Sequence, residues 1–470
     1  MKILLINPPN EFESPTMPLG LASIAAYLKM NRIENISAID AWVEKMDLPA
    51  LENSIAQSQA DIVGIYMISP CYDAAKTVVE AARRTLPKSI IVAGGSHPSA
   101  LPRQTLQEIP QLDICVIGEG EITMYELVRA VENNSPFSEV NGIAFRNENK
   151  EIIVTNPRAM IKNLDILPFP DRDLFQVHKY GNPPPPLGRK KPFLTIMTSR
   201  GCPFHCAFCS KDVYQDSYRA RSPKKVCDEI AELIDRYRAQ EIEFYDDDFT
   251  MNMQRAEEIC DEIIRRDIKI RWSCLTRTDL VNEKLLRKMK MAGCWNIAYG
   301  VESGDQKILN TIAKGISVEQ IISAFKMTKK AGIATSCLLL FGLPGETEET
   351  VKATFALTKK LKPDFIGSGI LIVYPGSRFF KAIQEGKYTG RLRVLKKNDE
   401  VRGTFFGKGN FIVFEENMTF EELKKIIRKS WKSFYLRPCY ILQRLTSIRS
   451  FSDVKYYFTA LVKVLKTVKG

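Results

Sequence analysis

Three of the eleven cysteines in this 470-residue chain fall within eight residues, in the run Cys202-Pro203-Phe204-His205-Cys206-Ala207-Phe208-Cys209. The other eight stand singly, at Cys71, Cys115, Cys227, Cys260, Cys274, Cys294, Cys337 and Cys439, several of them inside apolar runs. That is the distribution of small buried hydrophobes. Three thiolates on one short loop can take three corners of an iron–sulfur cube and leave the fourth iron open to a ligand. The alternative is structural zinc with His205 as the fourth ligand. Zinc loops bring two ligand pairs from separated segments, and the sequence offers no second pair. Cys202, Cys206 and Cys209 are therefore expected to bind a cluster.

Other polar motifs follow apolar runs in the same half of the chain. Tyr245-Asp246-Asp247-Asp248-Phe249-Thr250 places three carboxylates side by side. They repel one another and favour a cationic partner, unless they form a solvated turn. Arg277, Glu302 within Gly300-Val301-Glu302-Ser303, and Gly342-Leu343-Pro344-Gly345-Glu346 end later runs. Together they suit a zwitterionic ligand with a ribose. In the first third, segments 7–18 and 69–72, Gly94-Gly95-Ser96-His97-Pro98 and Gly118-Glu119-Gly120-Glu121 also follow apolar runs. The glycines either let a ligand approach the backbone or only make tight turns. No GxGxxG occurs, so a plain dinucleotide fold is not favoured. His97, one of three histidines, reads as a hydrogen-bonded turn residue or a ligand; Ser69 and Cys71 are equally open.

These residues need elements to hold them. Ile/Val-rich runs at 2–7, 36–40, 61–68, 89–93 and 114–117 alternate with helical patterns. The alternation predicts a doubly wound parallel sheet, which binds ligands outside the carboxyl ends of its strands. A hairpin at 141–155 and proline-rich stretches at Leu167-Pro168-Phe169-Pro170 and 183–186 then read as a linker packed across both units. Six strand candidates, at 193–198, 241–245, 270–276, 296–300, 335–341 and 365–373, alternate with amphipathic helices. They predict a partial (β/α)6 TIM-like barrel, with every polar motif at a carboxyl end. The expected fold class is thus α/β: a Rossmann-like sheet over residues 1–140, a linker over 141–190, a barrel over 191–380 and a mainly helical basic segment over 381–470.

Composition sets the outer limits. At 45% hydrophobic and 26% charged residues, the chain can bury a core, which excludes disorder. Apolar runs stop far short of the roughly 18–20 residues a membrane span needs. Unpaired thiols and the absence of a signal-peptide pattern favour a reducing cytosol. The net charge is +12, and residues 421–470 hold twelve Lys/Arg against three Asp/Glu, or +9. No nucleic-acid affinity of the whole chain is implied. The tail is either a solvated helical cap or, with Trp431, Phe434, Tyr435, Tyr456, Tyr457 and Phe458, a platform for the inner membrane face or a lipid-like substrate.

The cysteine run, with Phe208 before its last member, resembles the signature of radical S-adenosylmethionine (SAM) enzymes. The Asp-Asp-Asp-Phe, Gly-Val-Glu-Ser and Phe-Gly-Leu-Pro-Gly-Glu segments match that family's later motifs in order. Met17-Pro18-Leu19-Gly20, the two glycine loops and Leu167-Pro168-Phe169-Pro170 resemble the cobalamin-binding domain of one subclass. That subclass includes enzymes like the anaerobic magnesium-protoporphyrin ester cyclase and the hopanoid methylases. The resemblance spans about residues 1–380.

It implies a [4Fe–4S] cluster, SAM and cobalamin as cofactors, and an external one-electron reductant of flavodoxin or ferredoxin type. The implied activity is reductive cleavage of SAM to a 5′-deoxyadenosyl radical and methylation of an unactivated carbon. Cyclisation or oxidation without methyl transfer is the alternative, and a non-catalytic redox or SAM sensor is one of another class. By the same resemblance Asp246 and Asp248 meet the SAM amino group, Arg277 its carboxylate and Glu302 its ribose. Gly342 and Gly345 line the adenine, and Phe208 flanks the site. Pro18, Leu19, Ser69, Cys71, Gly94, Gly95, His97, Gly118, Glu119 and Gly120 meet cobalamin. The Asp-x-His-x-x-Gly signature of cobalamin mutases is absent. The lower corrin face is therefore expected against residues 69–72, and His97 against the corrin or its tail.

Overall fold

Short runs that are apolar on both faces build the first sheet. In the computed structural model, which describes residues 1–10, 16–180, 190–395, 411–445, 448, 454, 457–462 and 464–465, they pair in parallel. β1 (Ile3–Asn7), β2 (Ile36–Asp40), β3 (Ile62–Tyr66), β4 (Ile90–Gly94) and β5 (Ile114–Val116) stand in the order β2-β1-β3-β4-β5. α1 (Leu19–Met30), α2 (Leu48–Ser58), α3 (Tyr72–Thr85), α4 (Ser96–Ala100), α5 (Pro102–Glu108) and α6 (Gly120–Glu132) intervene. Helices α1 and α6 pack in one apolar cluster, and α2, α3 and α5 in another. A parallel sheet covered on both sides needs strands without a polar face. Strand order reverses between β1 and β3, so the loops after them diverge and open a crevice.

The hairpin continues this sheet. β6 (Ile143–Arg146) pairs antiparallel with β5, and β7 (Ile152–Val154) with β6. The linker that follows is packed at both ends. Phe175 and Tyr180 are buried with the first sheet. Arg172, 1% exposed, donates Nη2 to Thr195 O (3.1 Å) and pairs with Glu229 Oε1 (2.7 Å) in the second unit. The Pro183–Pro186 stretch lies outside the described residues.

The second sheet is six-stranded, parallel and open. Its strands are β8 (Phe193–Ile196), β11 (Glu241–Phe244), β12 (Arg271–Thr276), β13 (Cys294–Glu302), β14 (Ala334–Phe341) and β15 (Phe365–Ile370), in that order. A two-stranded ladder, β9 (Ser199–Arg200) with β10 (Arg219–Ala220), follows β8. The crossovers hold α7 (Pro223–Tyr237), α8 (Met253–Arg265), α9 (Glu283–Met291), α10 (Gln306–Thr311), α11 (Val318–Lys330) and α12 (Glu348–Leu361). Ser222, Asn252, Asn282, Asp305 and Ser317 start five of these helices, each accepting from a first-turn amide. Such caps satisfy N–H groups that have no intrahelical partner.

The C-terminal segment is mainly helical, as expected, with one short hairpin that the sequence did not signal. After α13 (Arg378–Gln384), β16 (Leu392–Leu395) pairs antiparallel with β17 (Phe411–Phe414). Four-residue strands are too short to set a readable period. α14 (Phe420–Tyr435) and α15 (Pro438–Leu445) follow. Phe420, Leu423, Ile427, Trp431 and Phe434 form one stripe buried in the barrel core. Tyr435 Oη donates to Ile366 O (2.8 Å) and accepts from Ile366 N (2.9 Å). Of the two readings of the tail, Trp431, Phe434 and Tyr435 follow the cap on the barrel, because the stripe meets β15. Tyr456 lies outside the described residues. Among the described residues no helix is long and apolar enough to cross a membrane.

Candidate functional site

The cysteine loop starts at a turn that only glycine makes. Gly201 has φ +82°, and a Cβ there would lie 2.0 Å from Ser217 O. The loop is then pinned from two helices. Ala207 N donates to Ile312 O (2.9 Å), Phe379 N to Ala207 O (3.1 Å) and Arg378 Nη1 to His205 O (3.2 Å). Cys206 is buried, Cys202 half-buried and Cys209 exposed. A hydrogen bond with Cys209, then the Lys314 and Arg277 charges, pull the Cys206 thiol below its ordinary range. A thiolate is the form that ligates iron. The His205 ring is largely exposed and lies 3.6 Å from Asp216 Oδ1, engaged with a carboxylate. Among the described residues no group of three or more His, Cys, Asp or Glu is drawn together around one metal ion. Three thiols on one pinned loop, one of them pulled toward the thiolate, are the donor chemistry that a cluster with an open iron requires.

Around the barrel mouth the three adjacent aspartates have separate tasks. Phe249, buried against Phe244 and Trp272, anchors them (ring centroids 4.4 and 5.3 Å). Asp246 accepts from Thr198 N (2.6 Å), Thr198 Oγ1 (2.5 Å) and Ser199 N (3.1 Å), so both its oxygens brace the end of β8. Asp247 accepts from Gly201 N (3.1 Å) and is exposed. Asp248 accepts from Thr276 Oγ1 (2.6 Å) at Oδ1, while its buried Oδ2 has no protein partner. Burial pushes the Asp248 carboxyl up to about 6. An unmatched buried oxygen of this kind suits a cationic ligand group.

Arg277 lies over the Phe204 ring (3.6 Å), is held by Asp279 (2.9 and 2.9 Å) and brings Nη1 4.0 Å from Cys206 Sγ. Glu302, at φ +61°, pairs with Lys314 (2.8 Å), and both are buried. Lys314 Nζ lies 5.8 Å from the Phe208 ring centroid, which places this pair beside the cysteine loop. A Cβ at Gly300 would meet Glu302 Oε1 at 2.6 Å and Lys314 Nζ at 2.8 Å. Sequence reading missed Lys314, one lysine among many, whose partner is twelve residues away. Glu346 folds the glycine turn by accepting from Gly342 N (2.6 Å) and Leu343 N (3.4 Å). Burial pushes its carboxyl up to about 7. Gly342 and Gly345 are tied to the C-terminal segment. A Cβ at Gly342 would meet Leu423 at 2.8 Å, and Gly345 N donates to Glu416 Oε2 (2.6 Å).

At the first sheet, Ser69 Oγ and His97 Nδ1 are 3.0 Å apart, and Tyr72 lies against the His97 ring (4.4 Å). Burial lowers His97 to about 4, so its imidazole is neutral near pH 7. Burial raises the Cys71 thiol to about 12. Pro18 and Leu19, both buried, start α1 after β1. Glu119 is committed to Arg200 (2.7 Å), Arg219 (2.8 Å) and Ile161 N (3.0 Å). Gly118, at φ +80°, has Val213 O 3.6 Å from its Cβ position, and a Cβ at Gly120 would meet Ile24 Cδ1 at 2.8 Å.

The two glycines after β4 are not equivalent. Gly95 has φ +127°, and a Cβ there would meet Met67 O at 2.5 Å, so the fold itself demands glycine. A Cβ at Gly94 has only Val116 at 3.7 Å, an ordinary contact. Gly95→Val is therefore expected to strain the loop with or without a ligand. Gly94→Ala is the cleaner probe of close ligand approach. Its melting curve should match wild type while corrinoid retention falls; full retention would take Gly94 out of the ligand site.

Residues 196–358 match the Radical SAM superfamily, and residues 10–128 match the B12 binding domain. The chain is 34% identical over 454 residues to an uncharacterized methyltransferase of Pyrococcus horikoshii, covering 93% of each. It is 28% identical to the anaerobic magnesium-protoporphyrin IX monomethyl ester cyclase of Rubrivivax gelatinosus, covering 99% of this chain and 83% of the relative. Its fold superposes on the radical SAM methyltransferase TsrM of Kitasatospora setae, solved with cobalamin and a [4Fe–4S] cluster. The TM-score is 0.75 at 17% identity, covering 92% of this chain and 89% of that one.

The chain belongs to the radical SAM enzymes that carry a cobalamin-binding domain. Its cofactors are those of the two domains: a [4Fe–4S] cluster, SAM and cobalamin.

Proposed function

We propose that the protein is a cobalamin-dependent radical SAM methyltransferase that methylates an unactivated carbon of a small or lipid-like substrate. The observation that carries the reading is the meeting of the two strand-end loop sets. The loop after β5 touches the strand that leads into Cys202, through Glu119 and Arg200 at 2.7 Å. That contact supports reading the two cofactor sites as neighbours that open toward one space. The full-length similarity to a protein named as a methyltransferase supports it. Comparable similarity to ester cyclases supports the second reading, oxidation or cyclisation without methyl transfer.

When bound, the cofactors supply the electron to SAM, the radical and the methyl group; an external one-electron reductant of flavodoxin or ferredoxin type recharges the site. The protein's part is placement. Cys202, Cys206 and Cys209 hold three irons. Asp248 Oδ2, with Asp247 beside it, meets the SAM ammonium; Asp246 serves by holding β8 in place. Arg277, steered by Asp279 and Phe204, meets the carboxylate. Glu302, fixed by Lys314, meets the ribose. On the other side Ser69, Cys71 and neutral His97 face the corrin.

The test is anaerobic incubation of the reconstituted enzyme with deuteromethyl-labelled SAM and a total small-molecule and lipid extract. A species that gains the labelled methyl on carbon supports methyl transfer. An oxidised or cyclised species without label supports the second reading.

A lipid-like substrate would agree with surface contact by the last helical stretch. There Val454, Phe458, Leu461 and Leu465 are exposed, at 46, 66, 44 and 38%. An outward apolar stripe among lysines is the pattern of an interfacial helix. Phe458→Glu/Leu461→Glu should abolish sedimentation with anionic vesicles and leave α14 untouched. Stopping the chain before α14 would instead strip the barrel core. If wild type ignores anionic vesicles at low salt, the stripe is not a membrane surface.

A further inference from the structure

Buried charge joins the loop before Cys202 to the loop after β5. Arg200 donates Nη1 to Glu119 Oε1 (2.7 Å) and Nη2 to Glu121 Oε1 (2.5 Å). Arg219, opposite Arg200 in the β9–β10 ladder, donates to Glu119 Oε2 (2.8 Å) and to Ile161 O (2.9 Å). All four charged side chains are 10% exposed or less, and their two positive and two negative charges cancel. Buried ion networks seldom add stability over well-packed apolar residues; fixing a register is their best-attested use. Arginine suits that task, because its planar fork allows few orientations.

There is little slack on either side of this network. Gly201, held at φ +82° against Ser217 O, is all that separates Arg200 from Cys202. Gly118, at φ +80°, and Gly120 flank Glu119 at the end of β5. A shift of the guanidinium therefore reaches the first cluster ligand, and a shift of the carboxylates reaches the glycine turn of the cobalamin-binding sheet.

We propose that Arg200 is a positioning residue, and that its clasp with Glu119 and Glu121 sets the separation of the two cofactors. The inference rests on which cofactors the two domains bind. It does not depend on methyl transfer as the reaction.

The test is Arg200→Met/Glu121→Gln in the full-length protein. This pair of changes removes one charge of each sign and leaves Glu119 balanced by Arg219, so the fold should survive. Protein loaded with cob(II)alamin and the reduced cluster is examined by pulsed dipolar paramagnetic resonance, which reads the distance between the two spins. Wild type is expected to give one narrow distribution. The variant, at equal iron and corrinoid content and unchanged melting temperature, is expected to give a broadened or shifted one. An unchanged narrow distribution overturns the proposal and leaves the clasp as packing. Should the double variant lose its corrinoid, Arg200→Lys, which keeps the charge but not the fork that reaches both carboxylates, is read by the same measurement against the same two outcomes.

Discussion

Replacing Cys202, Cys206 and Cys209 together by alanine is expected to abolish iron binding. Anaerobic reconstitution of wild type should give about four irons per chain and a visible charge-transfer band, and the variant neither. The effect is all or none because, among the described residues, no other thiol is placed to substitute. Of the remaining cysteines, Cys115, Cys227, Cys260, Cys274, Cys294 and Cys337 are sealed in the cores, and Cys71 is buried at the first sheet. Stability should change little, since the loop is pinned by backbone bonds to Ile312 and Phe379 that the variant keeps. Corrinoid binding should persist. A triple variant that keeps the iron and the absorbance would remove the cluster from this loop.

The second large effect concerns stability. Glu229→Ala is expected to destabilise the protein by about 3–5 kcal/mol, because it leaves the Arg172 guanidinium buried without its carboxylate. Both side chains are 1% exposed, and Arg221 Nη1 lies 3.7 Å from the same glutamate, so two positive charges lose a partner. Arg172 belongs to the linker, so its release should also loosen the tie between the two sheets. Denaturant unfolding followed by tryptophan fluorescence checks it: Trp272 and Trp295 lie in the barrel. Arg172→Met/Glu229→Leu, which removes both charges, should recover much of the loss. A Glu229→Ala midpoint equal to wild type would mean that the pair is not buried in solution.

Both sheets were legible because β-rich runs and amphipathic stretches alternate without ambiguity, and because chemistry-bearing residues cluster just after those runs. What side chains do at long range was not. Asp246, Asp247 and Asp248 look alike in sequence. Only the fold shows that Asp246 is spent on Thr198 and Ser199 while Asp248 keeps a free oxygen. Glu119 reads as part of a cofactor turn, yet its partners lie 81 and 100 residues away. Gly95 reads as room for a ligand, yet the carbonyl of Met67 already excludes a side chain there. The tail shows the same limit. An apolar stripe in a basic helix has the same period whether it meets lipid or a barrel, and for α14 the barrel takes it.

Product stoichiometry tests the central claim most directly. Enzyme carrying all three cofactors, given SAM, a one-electron reductant and the labelled substrate fraction, is quenched at intervals, and S-adenosylhomocysteine and 5′-deoxyadenosine are measured together. Methylation of an unactivated carbon consumes one SAM as methyl donor and another as radical source, so the two products should rise in equal amounts with methylated product. 5′-Deoxyadenosine without S-adenosylhomocysteine would contradict methyl transfer in favour of cyclisation or oxidation, and neither product from active-cofactor protein would contradict catalysis itself.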